Sequence, residues 1–176
     1  LGDVYKRQPL ALSLSVNQFV ATTDGSFVGQ VKSVGQGVAT LCTIKDYLQP
    51  RNAVWGVHAR NLEQSLALNL LMNPDIDFVT LLGQAGTGKT LITLAAALAQ
   101  TLEDRRFSEI IFTRATVSVG EEIGFLPGTE EEKMTPWMGA LEDNLEVLNK
   151  ADRGAGSWGR SAAADIIRSR ILSLIH

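Results

Sequence analysis

A chain of 176 residues, 45% hydrophobic and 20% charged with a net charge of −3, has apolar material for one packed core and a small appendage, which excludes the disordered and fibrous classes. The mild acidity argues against a protein that coats nucleic acid with its whole surface, so any strand binding must be local. A single cysteine, Cys42, cannot close an internal disulfide, and with two histidines it makes no metal-ligand cluster; these residues read as packing or surface positions, in keeping with a reducing cytoplasm. No apolar run approaches the roughly 20 residues of a membrane span.

The opening residues 1–8 (LGDVYKRQ) and the closing residues 172–176 (LSLIH) look like translated adapter sequence and are set aside. Lys6 and Arg7 followed by Leu10 to Val16 imitate a signal peptide, but the apolar run is short and broken by serines. Residues 9–50 read as a small antiparallel β-unit. Phe27, Val28, Val31 and Val34 lie in one run and Val38 to Ile44 in another, with Asp24-Gly25 and Gly35-Gln36-Gly37 as turns. The stretch Arg51 to Met72 turns helical in its second half, where Leu62, Leu66 and Leu70, with Ala67 and Leu71, stand at helical spacing before Asn73-Pro74 ends the helix. Ile76 to Leu82 (IDFVTLL) is an apolar, β-branched run of buried-strand type, and Leu91 to Leu102 is rich in Ala and Leu and predicted helical.

Between those two lies the most informative segment. Gly83-Gln84-Ala85-Gly86-Thr87-Gly88-Lys89-Thr90, running on to Leu91, matches the phosphate-binding pattern G-x-x-x-x-G-K-[ST]. Glycines let the backbone turn tightly and aim a nest of N–H groups at phosphate oxygens, and the helix N-terminus adds partial positive charge. Lys89 is expected to reach the β- and γ-phosphates of ATP, and Thr90 to place its hydroxyl on Mg²⁺. The other reading is a glycine-rich strand-to-helix turn that matches by chance.

Beyond the loop, Glu109 to Thr113 (EIIFT) is a second core strand, and Thr116 to Gly128 is glycine-punctuated loop. Thr135 caps a predicted helix with Pro136 in its first turn and Trp137, Leu141, Leu145 and Leu148 on one face. Ser161 to Leu172 is a final predicted helix. A P-loop NTPase needs a later apolar strand ending in an acid to order Mg²⁺ and water. No such strand follows Gly128: at Asp165-Ile166-Ile167 the acid precedes the apolar pair. The chain as it stands is therefore expected to bind nucleotide weakly and hydrolyse none.

Arg60-Asn61-Leu62-Glu63-Gln64 opens the helix before the P-loop. A Gln there offers donor and acceptor on one side chain and can pair with the adenine edge, or it can be a solvated surface residue. Together, RN-x-x-Q, GQAGTGKT, FTRATVSVGEEIGFLPG, EEKM-x-PWM and DNLE resemble the PhoH family of P-loop ATPases, particularly its longer members with an upstream PIN nuclease domain. The resemblance covers about Trp55 to Ile171. It implies an α/β fold, a partial RecA-like core with a parallel sheet and flanking helices related to superfamily-one helicases, in which 51–171 are the first part of the ATPase domain and the β-unit is a linker. It also implies that Gln64 reads adenine, that Gly83, Gly86, Gly88, Lys89 and Thr90 hold phosphate and metal, and that the intact protein is an ATPase acting on RNA, with a ring-shaped homo-oligomer as one arrangement. Arg114 matches a strand-end position facing nucleic acid or nucleotide, or else is an ion-pair partner. Ala115 and Ser118 depart from the family at positions where many members carry Pro. Glu121, Glu122, Glu130, Glu131 and Glu132 read as a solvated acidic loop. The competing functions are a P-loop small-molecule kinase, which shares the loop but has no need of the upstream Gln, and a non-catalytic nucleotide-gated interaction module.

Overall fold

The computed structural model describes residues 13–114, 143–144, 146–148 and 171–175. The first unit is a three-stranded antiparallel sheet, with β1 (Phe19–Ala21), β2 (Val28–Gly35) and β3 (Val38–Thr43) in that order. Both turns are dictated locally. Asp24 accepts hydrogen bonds from the N–H (3.0 Å) and hydroxyl (2.8 Å) of Ser26. The Thr22 hydroxyl above all, and then these two bonds from Ser26, hold its carboxyl well below the usual carboxylate range, at about 2. Gln36 and Gly37 both take positive φ, 49° and 78°, the two-residue geometry that matches strand twist. The register shifts between Val31 and Ser33, and Val31 is fully buried.

After β3 the chain runs along α1 (Leu62–Leu71), and side-chain amides replace a sheet ladder. Asn69 accepts from the Lys45 N–H at 2.9 Å and donates to the Lys45 carbonyl at 2.8 Å, while the buried hydroxyl of Ser65 accepts from the N–H of Tyr47. Burial pushes the Tyr47 phenol up. The helix lies where its leucines predict, but its buried line is different. Ser65 and Leu68 are sealed and Leu62 is exposed. At about 100° per residue, Leu62, Leu66 and Leu70 share one stripe, and the sealed pair Ser65 and Leu68, three residues apart, lies on a different face of the helix.

The core lies between α1 and α2 (Lys89–Leu98), around Leu68, Ile92, Ala95 and Leu98, and Val54, Ala59 and Leu148 belong to the same buried cluster. Leu148 is fully buried; of the other predicted face residues after Thr135, Trp137, Leu141 and Leu145 lie outside the described residues. Instead of running on as an α-helix to Leu102, α2 widens into a π-helical turn at Ala99–Glu103, where Asp104 donates to the Ala99 carbonyl at 2.9 Å. Gln100 ties this turn to the end of α1 by donating to the Leu71 carbonyl (3.1 Å), and Arg106 donates to Gln100 Oε1 (3.2 Å) and the Pro74 carbonyl (2.6 Å).

Two expectations are corrected. The run Ile76 to Leu82 is not a strand: it has no ladder partner among the described residues, and Phe78 and Leu82 are 85% and 91% exposed. A buried-type strand is made by its neighbours, and apolar β-branched composition cannot supply the hydrogen bonds they would provide. The final predicted helix does not reach Leu172, because β5 (Ile171–Ile175) pairs in parallel with β4 (Ile110–Arg114). Four of the five closing residues set aside as adapter sequence, 172–175, lie in this strand. The chain is thus α/β, with an antiparallel three-stranded sheet, helices, and one parallel pair among the described residues.

Candidate functional site

A cleft of about 890 Å³ opens over the N-terminus of α2. Its floor is the glycine-rich loop. Gly86 and Gly88 stand at φ 78° and 82°, left-handed conformations that strain any residue with a Cβ, and Gly88 is the N-cap of α2 without a side-chain cap. The backbone N–H groups of Gly86 through Thr90 have no acceptor among the described residues. They form a cluster of donors at the positive end of a helix, which is what an anion requires.

Lys89 crosses the loop from inside. Its ammonium donates to the carbonyls of Gly83 (2.7 Å) and Gln84 (2.6 Å) and to the Thr87 hydroxyl (3.3 Å), and that hydroxyl in turn donates to the Gln84 carbonyl at 2.8 Å. Gly83 and Gln84 thus serve as acceptors for Lys89, whereas Ala85 to Leu91 line the cleft itself. Thr90 is exposed in the first turn of α2, and Thr93 donates back to the Lys89 carbonyl at 2.9 Å.

The opposite wall descends from α1. Asn61 caps that helix by accepting from the Gln64 N–H at 2.9 Å, in extended backbone as an N-cap requires. Gln64 Oε1 accepts from the Arg60 N–H at 2.8 Å, and its Nε2 donates to the Thr87 carbonyl at 3.0 Å. The residue predicted to read a base therefore also touches the phosphate loop. Upstream, Trp55 and Gly56 both take positive φ (47° and 71°), closing a two-residue turn through reciprocal Val54 and Val57 bonds of 2.8 Å. This turn brings Val57, His58 and Arg60 to the rim of the cleft, and Asn144 and Val147 line it too.

Sequence reasoning missed the turn and its His58, and gave Arg60 and Asn61 no individual roles. For Asn61 a signal was present, an Asn directly before the first leucine of an amphipathic helix. For Trp55-Gly56 there was little, because a bulky aromatic at positive φ contradicts turn propensity. Asp143 is exposed and is not among the residues lining the cleft. Glu121, Glu122, Glu130, Glu131, Glu132 and Asp165 lie outside the described residues, as does the side chain of Arg114. Among the described residues no group of three His, Cys, Asp or Glu is placed to hold a metal, and no helix is long and apolar enough to cross a membrane.

Residues 56–171, well over half of the chain and including the loop, Gln64 and the rim from Gly56 onward, match the family described as PhoH-like protein. The chain belongs to the PhoH family. It is 42% identical over 137 residues to "Protein PhoH2" of Bacillus subtilis, covering 78% of this chain and 31% of that protein. It is 47% identical over 100 residues to "Protein PhoH2" of Thermobispora bispora, covering 56% and 23%. A "PhoH-like protein" of Bacillus subtilis is 41% identical over 76 residues, 43% of this chain and 24% of that one. The chain thus spans about a third or less of the length of these relatives. No solved structure matches it. PhoH membership carries a P-loop NTPase fold and the general character of a nucleotide-binding, ATPase-like protein.

Proposed function

We propose that the intact protein binds ATP with Mg²⁺ in this cleft and hydrolyses it, and that hydrolysis is coupled to RNA binding or unwinding in the cytoplasm. The observation that carries the reading is the run of N–H groups from Gly86 to Thr90, without an acceptor among the described residues, in the same loop as the Lys89 ammonium at a helix N-terminus. A triphosphate is the ligand whose charge density suits such a cluster. Thr90 fits a magnesium ligand, since this ion takes few protein oxygens and keeps several waters. When bound, the ion would supply charge neutralisation across the β- and γ-phosphates.

The chain's own residues would do the rest. Lys89 would exchange its carbonyl partners for phosphate oxygens and balance the charge that develops as water attacks in line. The loop N–H groups would hold the phosphates without reorganising, which is where electrostatic catalysis gains most. Beyond its bonds to Thr87 and Arg60, the Gln64 amide keeps one N–H and one oxygen lone pair, and these would read the adenine edge. Coupling to RNA, to an upstream PIN nuclease or to assembly in a ring rests on the resemblance to the PhoH family and its longer members.

In the full-length protein, Lys89→Ala is expected to lower ATP turnover at least ~100-fold. Undiminished turnover in that variant overturns the reading. Turnover in the native protein that rises with added RNA supports the RNA assignment. Phosphate transfer to a metabolite would instead select a kinase, and nucleotide binding without turnover an interaction module.

A further inference from the structure

The Gln64 amide spans two elements. Its Oε1 accepts from the backbone of Arg60 and its Nε2 donates to the Thr87 carbonyl at 3.0 Å, so it bridges the start of α1 and the middle of the phosphate loop. Asn61, accepting from the Gln64 N–H at 2.9 Å, fixes the backbone from which that amide projects. In a planar trans peptide the C=O and the following N–H point in opposite directions. Anchoring the Thr87 carbonyl on the α1 side therefore turns the Gly88 N–H away from α1. Gly88 is shaped to this contact: a Cβ added there would stand 3.1 Å from Gln64 Nε2, on backbone already at φ 82°. Among the described residues, the loop's remaining side-chain ties run through Lys89 and Thr87, whose partners are the loop's own carbonyls and hydroxyl, so Gln64 is there the tie that fixes the loop to a separate helix.

We infer that Gln64 is a positioning residue for the phosphate loop: by holding the Thr87–Gly88 peptide it sets the affinity for the polyphosphate part of any ligand, whatever its base. This inference rests on reading the loop as a phosphate site. It differs from base reading, which acts only on the adenine edge and leaves a ligand without a base untouched. A flexible loop must be ordered by its ligand, and a loop already held by its neighbour is not, so removing the tie weakens binding without removing any contact to the ligand.

The test is calorimetric titration of the full-length protein with Mg²⁺ and, separately, ATP, GTP and inorganic tripolyphosphate. Gln64→Ala and Gln64→Met are measured beside Lys89→Ala, with thermal unfolding followed for each. Met keeps the length and apolar stem of the side chain while deleting both hydrogen bonds, so it covers the case in which Ala disturbs folding. The expected result is that both Gln64 variants lose affinity for GTP and tripolyphosphate by about three to tenfold and for ATP by at least as much, with the unfolding midpoint unchanged. Tripolyphosphate affinity within twofold of native in the Gln64 variants, while Lys89→Ala loses it, overturns the positioning role and leaves the phosphate site standing. Tripolyphosphate binding that Lys89→Ala leaves unchanged removes the site itself, and the inference with it.

Discussion

Ile76 to Leu82 and Gly83 to Thr90 are neighbours in the chain and opposites in how they are held. The loop is closed by partners within a few residues or on one adjoining helix: the Lys89 ammonium on its own carbonyls and Gln64 on Thr87. The run before it carries the stronger apolar signal, yet it has no ladder partner among the described residues and leaves Phe78 and Leu82 in solvent. A segment whose conformation is enforced by glycine geometry and short-range hydrogen bonds is specified where it stands. A strand is specified by chains that must arrive from elsewhere.

Three variants probe this contrast. The largest effect is expected where α2 buries what the run exposes: Leu98→Ala, at a fully buried position, should cost about 2–5 kcal/mol in chemical denaturation. A loss under about 1 kcal/mol would mean that the α1–α2 core is loose and that local closure alone holds the loop. Asn61→Ala removes the cap of α1 and should cost about 1 kcal/mol of stability. If its unfolding curve overlays the native one, the start of α1 is held by something other than its cap. The smallest effect is expected from the pair Phe78→Ser and Leu82→Ser, which should change the stability of this chain by less than about 0.5 kcal/mol because both side chains are already in water. A cost above about 1 kcal/mol would show the run packed in solution, and the contrast would collapse.

The same division explains what was legible in the sequence. The β-unit was readable because Asp24-Gly25 and Gln36-Gly37 encode their own turns and the runs they bound are rich in β-branched residues. The position of α1 was readable from its leucines and its end from Asn73-Pro74, but its buried line was not, because Ser65 is sealed by a hydrogen bond from Tyr47 that no hydrophobicity pattern contains. At the candidate site, the loop and Gln64 were legible as residue types at fixed spacing. The bond from Gln64 to Thr87 joins positions 23 apart and depends on how α1 lies against α2. The turn at Trp55-Gly56 was illegible for a different reason, since its backbone conformation runs against the preference of the residue that adopts it.

The three hydrogen bonds that Lys89 donates inside its own loop also bear on kinetics. On the proposed function, an anion arriving at the cleft does not simply add to a waiting cation. It competes with two carbonyls and a hydroxyl for the same ammonium, so association is a substitution in which old bonds lengthen as new ones form. The measured affinity is then a difference between two bonded arrangements, and the barrier to entry and to release is the cost of passing between them.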